Sequence, residues 1–160
     1  MSWTAAPGDM APDFTLPADG GGSLSLAGLR GRKAVLYFYP KADTPGCTQE
    51  SMDFNRLRPD FEANGVAIAG VSADPIKDQE KFRAKYGLAF PLASDTGHEM
   101  LEAYGVWAEK SMYGRKFMGI VRSTFLIGAD GRIARVWRNV KVPGHAEEVL
   151  AAAKDLQGGV

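Results

Sequence analysis

The sequence predicts an α/β fold with a mixed β-sheet flanked by helices, and three observations carry that prediction. Two continuously apolar runs, "AVLYFY" (34–39) and "VAIAGVSA" (66–73), are each followed by a helical pattern. Such runs suit strands covered on both faces, as in a sheet with helices above and below it. Further on, "VRSTFLI" (121–127) and "IARVWRNV" (133–140) flank "GADGR", which reads as the turn of a hairpin. Strands alternating with helices, then a hairpin and a last helix, make an α/β architecture.

The elements follow in order. "DFTL" (13–16) and "SLSL" (23–26) read as an N-terminal β-hairpin, with the glycines of "PADGGG" free to take the positive φ of a tight turn. The strand 34–39 ends at Pro40. A helix is predicted from Pro45 to about Asn64, because Phe54, Leu57 and Phe61 recur three and four apart and Gly65 supplies a stop. After the strand 66–73, Asp74-Pro75 opens a helix that runs to Tyr86 and stops at Gly87. A short helix at 98–104 precedes the hairpin. "GHAEEVLAAAKDLQ" (144–157) closes the pattern as an amphipathic helix, and the tail "LQGGV" reads as frayed. At about 150 residues per domain, the 160 residues form a single domain, 1–160.

Composition narrows the function. Apolar residues make up 45% and charged residues 24%, so the chain can build a core and is not of disordered type. Lys plus Arg and Asp plus Glu both number 19, a balance that argues against nucleic acid or an anionic membrane as partner. No apolar run approaches the ~18 residues of a membrane span. The start "MSWTAAPGDMAPDF" lacks the basic and apolar regions of a secretory signal, so a cytoplasmic location is expected. The one cysteine, Cys47, excludes an intramolecular disulfide and a Cys-rich zinc site.

A lone cysteine is usually a small buried hydrophobe, but this one has a particular place. In "FYPKADTPGCTQESMDF" (38–54), Thr44 is a natural N-cap and Pro45 fits the first helical position. Cys47 is then the third helical residue, where unpaired backbone N–H groups and the positive end of the helix dipole favour an anion. That is a site for a thiolate. Gly46 leaves the approach to the sulfur uncluttered. Cys47 also shares a helical face with Phe54 and Phe61, which places it in a recessed, partly apolar pocket. Glu50 lies one turn on and, taken alone, reads as an exposed helix charge.

These residues resemble a known family. "PKADTPGC" fits the peroxiredoxin pattern Pro-x-x-x-Thr-x-x-Cys through Pro40, Thr44 and Cys47, and "TPGCTQE" is similar to its bacterioferritin-comigratory, or PrxQ, subfamily. "DFTL", "FRAKYGLAFPLASD" (82–95), "YGVWAEKSMYGRKFMGIVRSTFLI" (104–127) and "KVPGHAEEVL" (141–150) resemble that subfamily in order and spacing, so the likeness covers nearly the whole chain. It implies a thioredoxin-like fold and reduction of hydrogen peroxide and organic hydroperoxides, in antioxidant defence. Cys47 would be the peroxidatic nucleophile, Thr44 would hydrogen-bond the peroxide, and Pro40 would shield the sulfur. Arg122 would stand beside the thiolate, with Glu50 orienting it. Read alone, Arg122 is a charge in an apolar strand, at an edge or in an ion pair. A buried arginine needs an anion, and a thiolate would serve.

The chemistry fits these residue types. About 3% of an ordinary thiol is ionised at pH 7, so complete ionisation gains only about thirtyfold. The remaining acceleration must come from donors aimed at the peroxide oxygens as the O–O bond stretches. Arg122, the Thr44 hydroxyl and the helix N–H groups are the expected donors, and no metal or organic cofactor is required.

One departure stands out. Typical members carry a resolving cysteine five residues after the first, or on another helix, whereas here that position is Met52. The resemblance therefore implies a one-cysteine variant, completed by an external thiol: thioredoxin, glutaredoxin with glutathione, or another small thiol. A monomer or weak homodimer is expected. The alternative is a peroxide sensor that signals to a partner protein through Cys47 oxidation. A Cys-x-x-Cys disulfide exchanger is disfavoured because position 50 is Glu50. His98 and His145 sit near predicted helix starts and read as solvent-exposed, while Trp107, Met112, Tyr113 and Phe117 read as packing residues in a segment bordering the site.

Overall fold

The computed structural model describes residues 5–156. In chain order these form β1 (Thr15–Pro17), β2 (Ser23–Ser25), α1 (Leu26–Leu29), β3 (Lys33–Phe38), α2 (Pro45–Ala63), β4 (Val66–Ser72) and α3 (Ile76–Tyr86). They continue through β5 (Leu92–Ser94), α4 (Glu99–Ala103), β6 (Trp107–Met112), β7 (Arg115–Ile120), β8 (Ser123–Ile127), β9 (Ile133–Arg138) and α5 (His145–Asp155). The central sheet has the order β5-β4-β3-β8-β9. β3, β4 and β5 are parallel, and β8 and β9 are antiparallel to their neighbours, so the sheet is mixed as the pattern predicts.

β3 shows why a continuously apolar run was needed. Ala34, Leu36 and Phe38 face one core with α1 and α4, while Val35, Tyr37 and Tyr39 face a second core with α2, α3 and α5. Successive side chains point to opposite faces, and both faces are covered. Gly70 of β4 is required by the close fit, since a Cβ there would meet the Tyr37 ring and Leu92 at 2.9 Å. The predicted N-terminal hairpin forms as β1 and β2.

Four elements were not legible in the pattern. α1 and β5 are too short for periodicity to register, and α1 is announced only by Ser25, whose Oγ accepts from the Gly28 N–H. β6 and β7 pair as a separate antiparallel ribbon around a two-residue Tyr113–Gly114 turn with positive φ at both residues, the hairpin geometry that matches strand twist. Its residues mix charge and apolar surface, so no alternation marks it. Met112, Tyr113 and Phe117 are exposed there, Tyr113 at 97%, which corrects the packing role expected of them. Trp107 does pack, stacking its ring on His98 at 3.9 Å. Of the tail "LQGGV" (156–160), read as frayed, Leu156 is held by its N–H on the Ala152 carbonyl at 3.2 Å, and 157–160 lie outside the described residues. Among the described residues no helix is long and apolar enough to cross a membrane.

Candidate active site

The site forms where β3 gives way to α2. After Phe38 the chain makes one more sheet bond, from the Tyr39 N–H to the Val71 carbonyl at 3.1 Å, and Pro40 then ends the pairing. The following loop is pinned from two sides. The Ala42 N–H donates to Asp74 Oδ2 at 2.7 Å, and Asp43, at φ 61°, accepts from Lys85 Nζ at 2.9 Å and the Tyr86 hydroxyl at 2.6 Å. Sequence reasoning passed over these anchors because the partners of Ala42 and Asp43 lie 32 to 43 residues further along the chain. Together they fix the entry of α2.

Thr44 is the N-cap by backbone conformation, but its side chain does not cap. Its hydroxyl donates to the Lys41 carbonyl at 2.8 Å instead, so toward a substrate it presents lone pairs rather than its proton. This corrects its expected place among the donors. Cys47 lies in the first turn and is wholly buried, in one core with Phe54 and Phe61, as the shared helical face predicted. Pro40 is exposed, and Met52 is 46% exposed.

Arg122 precedes β8 rather than lying within it, a correction with a clear cause. Its carbonyl accepts from the Val140 N–H at 3.0 Å, outside the ladder of β8. From there the guanidinium forks: Nη2 donates to Cys47 Sγ at 3.4 Å and Nη1 donates to Glu50 Oε1 at 2.7 Å. Gly46 now has a second reason, because a Cβ at that position would meet Arg122 Nη2 at 3.1 Å. Burial works against the Arg122 charge, yet Glu50 and Cys47 beside it more than offset this and hold its pKa above the ordinary value.

Glu50 is not the exposed helix charge that its position alone suggested. It is 1% exposed, with Oε1 on Arg122 and Oε2 buried without a hydrogen-bond partner among the described residues. Burial pushes its carboxyl up to about 7, against the pull of Arg122. His145 is likewise buried rather than solvent-exposed. Its Nε2 pairs with Thr124 Oγ1 at 2.8 Å, its ring meets Phe54 edge-on, and burial lowers its pKa to about 4. Among the described residues no group of three or more His, Cys, Asp or Glu is placed to hold a metal ion.

A thiol at a helix N-terminus, touched by a guanidinium that a buried carboxylate holds in place, has the geometry to act as a nucleophile with a donor beside it. Residues 7–136 match the AhpC/TSA family. The chain belongs to that family. Its AhpC/TSA relatives include the peroxiredoxin Bcp of Xanthomonas campestris pv. campestris, 49% identical over 142 residues that cover 89% of each chain. The peroxiredoxin Bcp of Bacillus subtilis is 44% identical over 149 residues, 93% of this chain and 95% of that one. A solved structure of the Xanthomonas campestris bacterioferritin comigratory protein, a protein studied for alkyl peroxide reduction, superposes with a TM-score of 0.86. It is 45% identical and the match covers 94% of this chain and 96% of that one. The thioredoxin-like, mixed-sheet architecture implied by the resemblance is thus shared with AhpC/TSA structures.

Proposed function

We propose that this protein is a thiol-dependent peroxidase of the PrxQ type, acting through a sulfenic acid at Cys47. The observation that carries the reading is the Arg122 fork, one arm on the sulfur and the other on buried Glu50. Cys47 attacks the terminal peroxide oxygen. Arg122 holds the thiolate and stabilises charge on the oxygens, Thr44 accepts a hydrogen bond from the peroxide, and Pro40 limits access to the sulfur. Glu50 positions Arg122. We take residues 1–160 as one domain acting in the cytoplasm as a monomer or weak homodimer. The substrates are a hydroperoxide and an external thiol, thioredoxin or a glutathione-linked system, since Cys47 is the only cysteine.

The test is peroxide consumption at catalytic protein concentration with a panel of thiol reductants. Many equivalents consumed per protein support the enzyme. One equivalent and no more supports the sensor reading, which the missing second thiol favours. After one equivalent without reductant, Cys47 should persist as sulfenic acid, trappable by a dimedone-type reagent, and excess peroxide should carry it to the sulfinic state. An intermolecular disulfide in place of the trapped adduct would overturn this.

A further inference from the structure

α3 carries a polar residue where its buried face calls for an apolar one. Gln79 and Phe82, one turn apart, are the buried residues of this helix, and Gln79 is wholly enclosed. An amide taken out of water costs free energy unless its hydrogen bonds are remade. Here they are remade, and the chemistry of the partners fixes their direction. The Ala93 carbonyl can only accept, so the amide nitrogen of Gln79 faces it at 2.8 Å and places its second hydrogen on Ser72 Oγ at 2.9 Å. Oε1 is left to accept from the Tyr39 hydroxyl, a phenol that burial holds in its protonated form. Ser72 Oγ donates in turn to Asp74 Oδ2 at 2.7 Å, and the same oxygen accepts the Ala42 N–H at 2.7 Å.

These bonds form a circuit. It leaves the active-site segment at Tyr39, crosses Gln79 of α3 and Ser72 at the end of β4, and returns through Asp74 to Ala42, three residues on. The span between, Pro40 and Lys41, is exposed, so packing does not hold it. The Lys41 carbonyl takes the Thr44 hydroxyl, which ties Thr44 to the same span. From Tyr39 to Asp74 every donor points the same way, toward a carboxylate, an arrangement in which each bond polarises and strengthens the next. An apolar residue at position 79 would fill the core without a polar group to satisfy. What the amide adds is a fixed geometry for the segment that it closes.

We propose that Gln79 is a positioning residue for peroxide reduction: its amide closes the buried circuit that fixes Pro40 and Lys41, and through Lys41 the Thr44 hydroxyl, as the wall of the peroxide site. This rests on the reading of Cys47 as nucleophile with Pro40 and Thr44 beside it. The hydrogen bonds of Gln79 go to Tyr39, Ser72 and Ala93, so it acts through the backbone it holds and not on the reacting atoms.

The test separates position from stability. Gln79→Met keeps the side-chain length, opens the circuit and leaves the Tyr39 hydroxyl unpaired. Single-turnover oxidation of Cys47 by hydrogen peroxide should slow on the order of 10- to 10²-fold. Alkylation of Cys47 by iodoacetamide, which needs the thiolate but no wall to hold an oxygen, should not slow. Adding Tyr39→Phe removes the orphaned hydroxyl, so in urea unfolding the double variant should regain part of the stability that Gln79→Met loses. Its oxidation should stay slow, because the circuit is still open. Tyr39→Phe alone opens the same circuit by the loss of one oxygen and should slow oxidation without slowing alkylation. Oxidation of Gln79→Met within twofold of the wild-type rate would overturn the proposal. So would a rate that recovers with stability in the double variant, which marks a residue supporting only the fold. Alkylation slowed in step with oxidation would overturn it as well, because the defect would then lie in the thiolate. Failure of the underlying reading is distinguishable, for then Cys47→Ser would still consume peroxide at the wild-type rate.

Discussion

β3 runs between two buried charges, and they are treated differently. At its start, Lys33 is 8% exposed and its Nζ donates to the carbonyls of Ala153 at 2.9 Å and Leu156 at 3.2 Å, at the C-terminal end of α5. Beyond its other end, Cys47 and Glu50 occupy the first turns of α2, and Arg122 reaches both from the residue before β8. Both ends use the same physics, a cation at a helix C-terminus and an anion-favouring thiol at an N-terminus. Lys33 meets carbonyls within the protein and belongs to the architecture. The α2 end keeps capacity in reserve: among the described residues Glu50 Oε2 has no partner, and Thr44 offers lone pairs. Incomplete satisfaction, rather than burial of charge, separates the reactive end from the structural one.

That contrast can be broken at several points. The largest effect is expected from Cys47→Ser, a nearly isosteric change that should abolish peroxide consumption while far-UV circular dichroism stays native. Retained turnover would remove the nucleophile assignment. Arg122→Met keeps much of the side-chain volume and loses the donor, so single-turnover oxidation should slow on the order of 10²-fold or more. A rate within twofold of wild type would show that the guanidinium contact is idle.

Glu50→Gln should slow oxidation less than Arg122→Met, and its clearer signature is in stability against pH. Burial raises the Glu50 carboxyl from 4.5 to about 7 in the folded state, so the native protein binds this proton more tightly than the unfolded chain. The stability this group contributes is full below pH 4.5 and is lost as pH rises to about 7. His145 acts in the opposite sense. Burial lowers it from 6.5 to about 4, so its contribution is full above pH 6.5 and is lost as pH falls toward 4. The two slopes oppose each other in wild type. Urea unfolding of Glu50→Gln should therefore show stability rising on the order of 1–3 kcal/mol from pH 4 to 6.5, against a flatter wild-type profile. Identical profiles would mean that Glu50 takes up no proton on folding.

The smallest effect on activity is expected at the structural end. Lys33→Met should lower stability by about 1–3 kcal/mol, measured by urea unfolding, and leave the oxidation rate of Cys47 unchanged. A slowed rate would show that the two ends of β3 are coupled and that the contrast is false.

What the sequence determined by itself is local. The apolar runs of β3 and β4, the N-terminal hairpin, the start of α2 at Pro45 and the place of Cys47 in its first turn all follow from residues near one another in the chain. Periodicity and helix-terminus chemistry act over a few residues, so a single sequence reveals them. The family motif added Arg122 and Glu50, but their own surroundings in the chain misled: Glu50 looked exposed and Arg122 looked like part of a strand. Only the tertiary structure decided that Glu50 is buried on Arg122, that His145 is enclosed by Phe54 and Thr124, and that the hydroxyl proton of Thr44 turns to Lys41. It alone paired β6 with β7, a ribbon whose mixed residues carry no alternating pattern. Burial and electrostatic environment depend on which distant segments pack together, and long-range packing leaves no periodic trace at the residues it encloses.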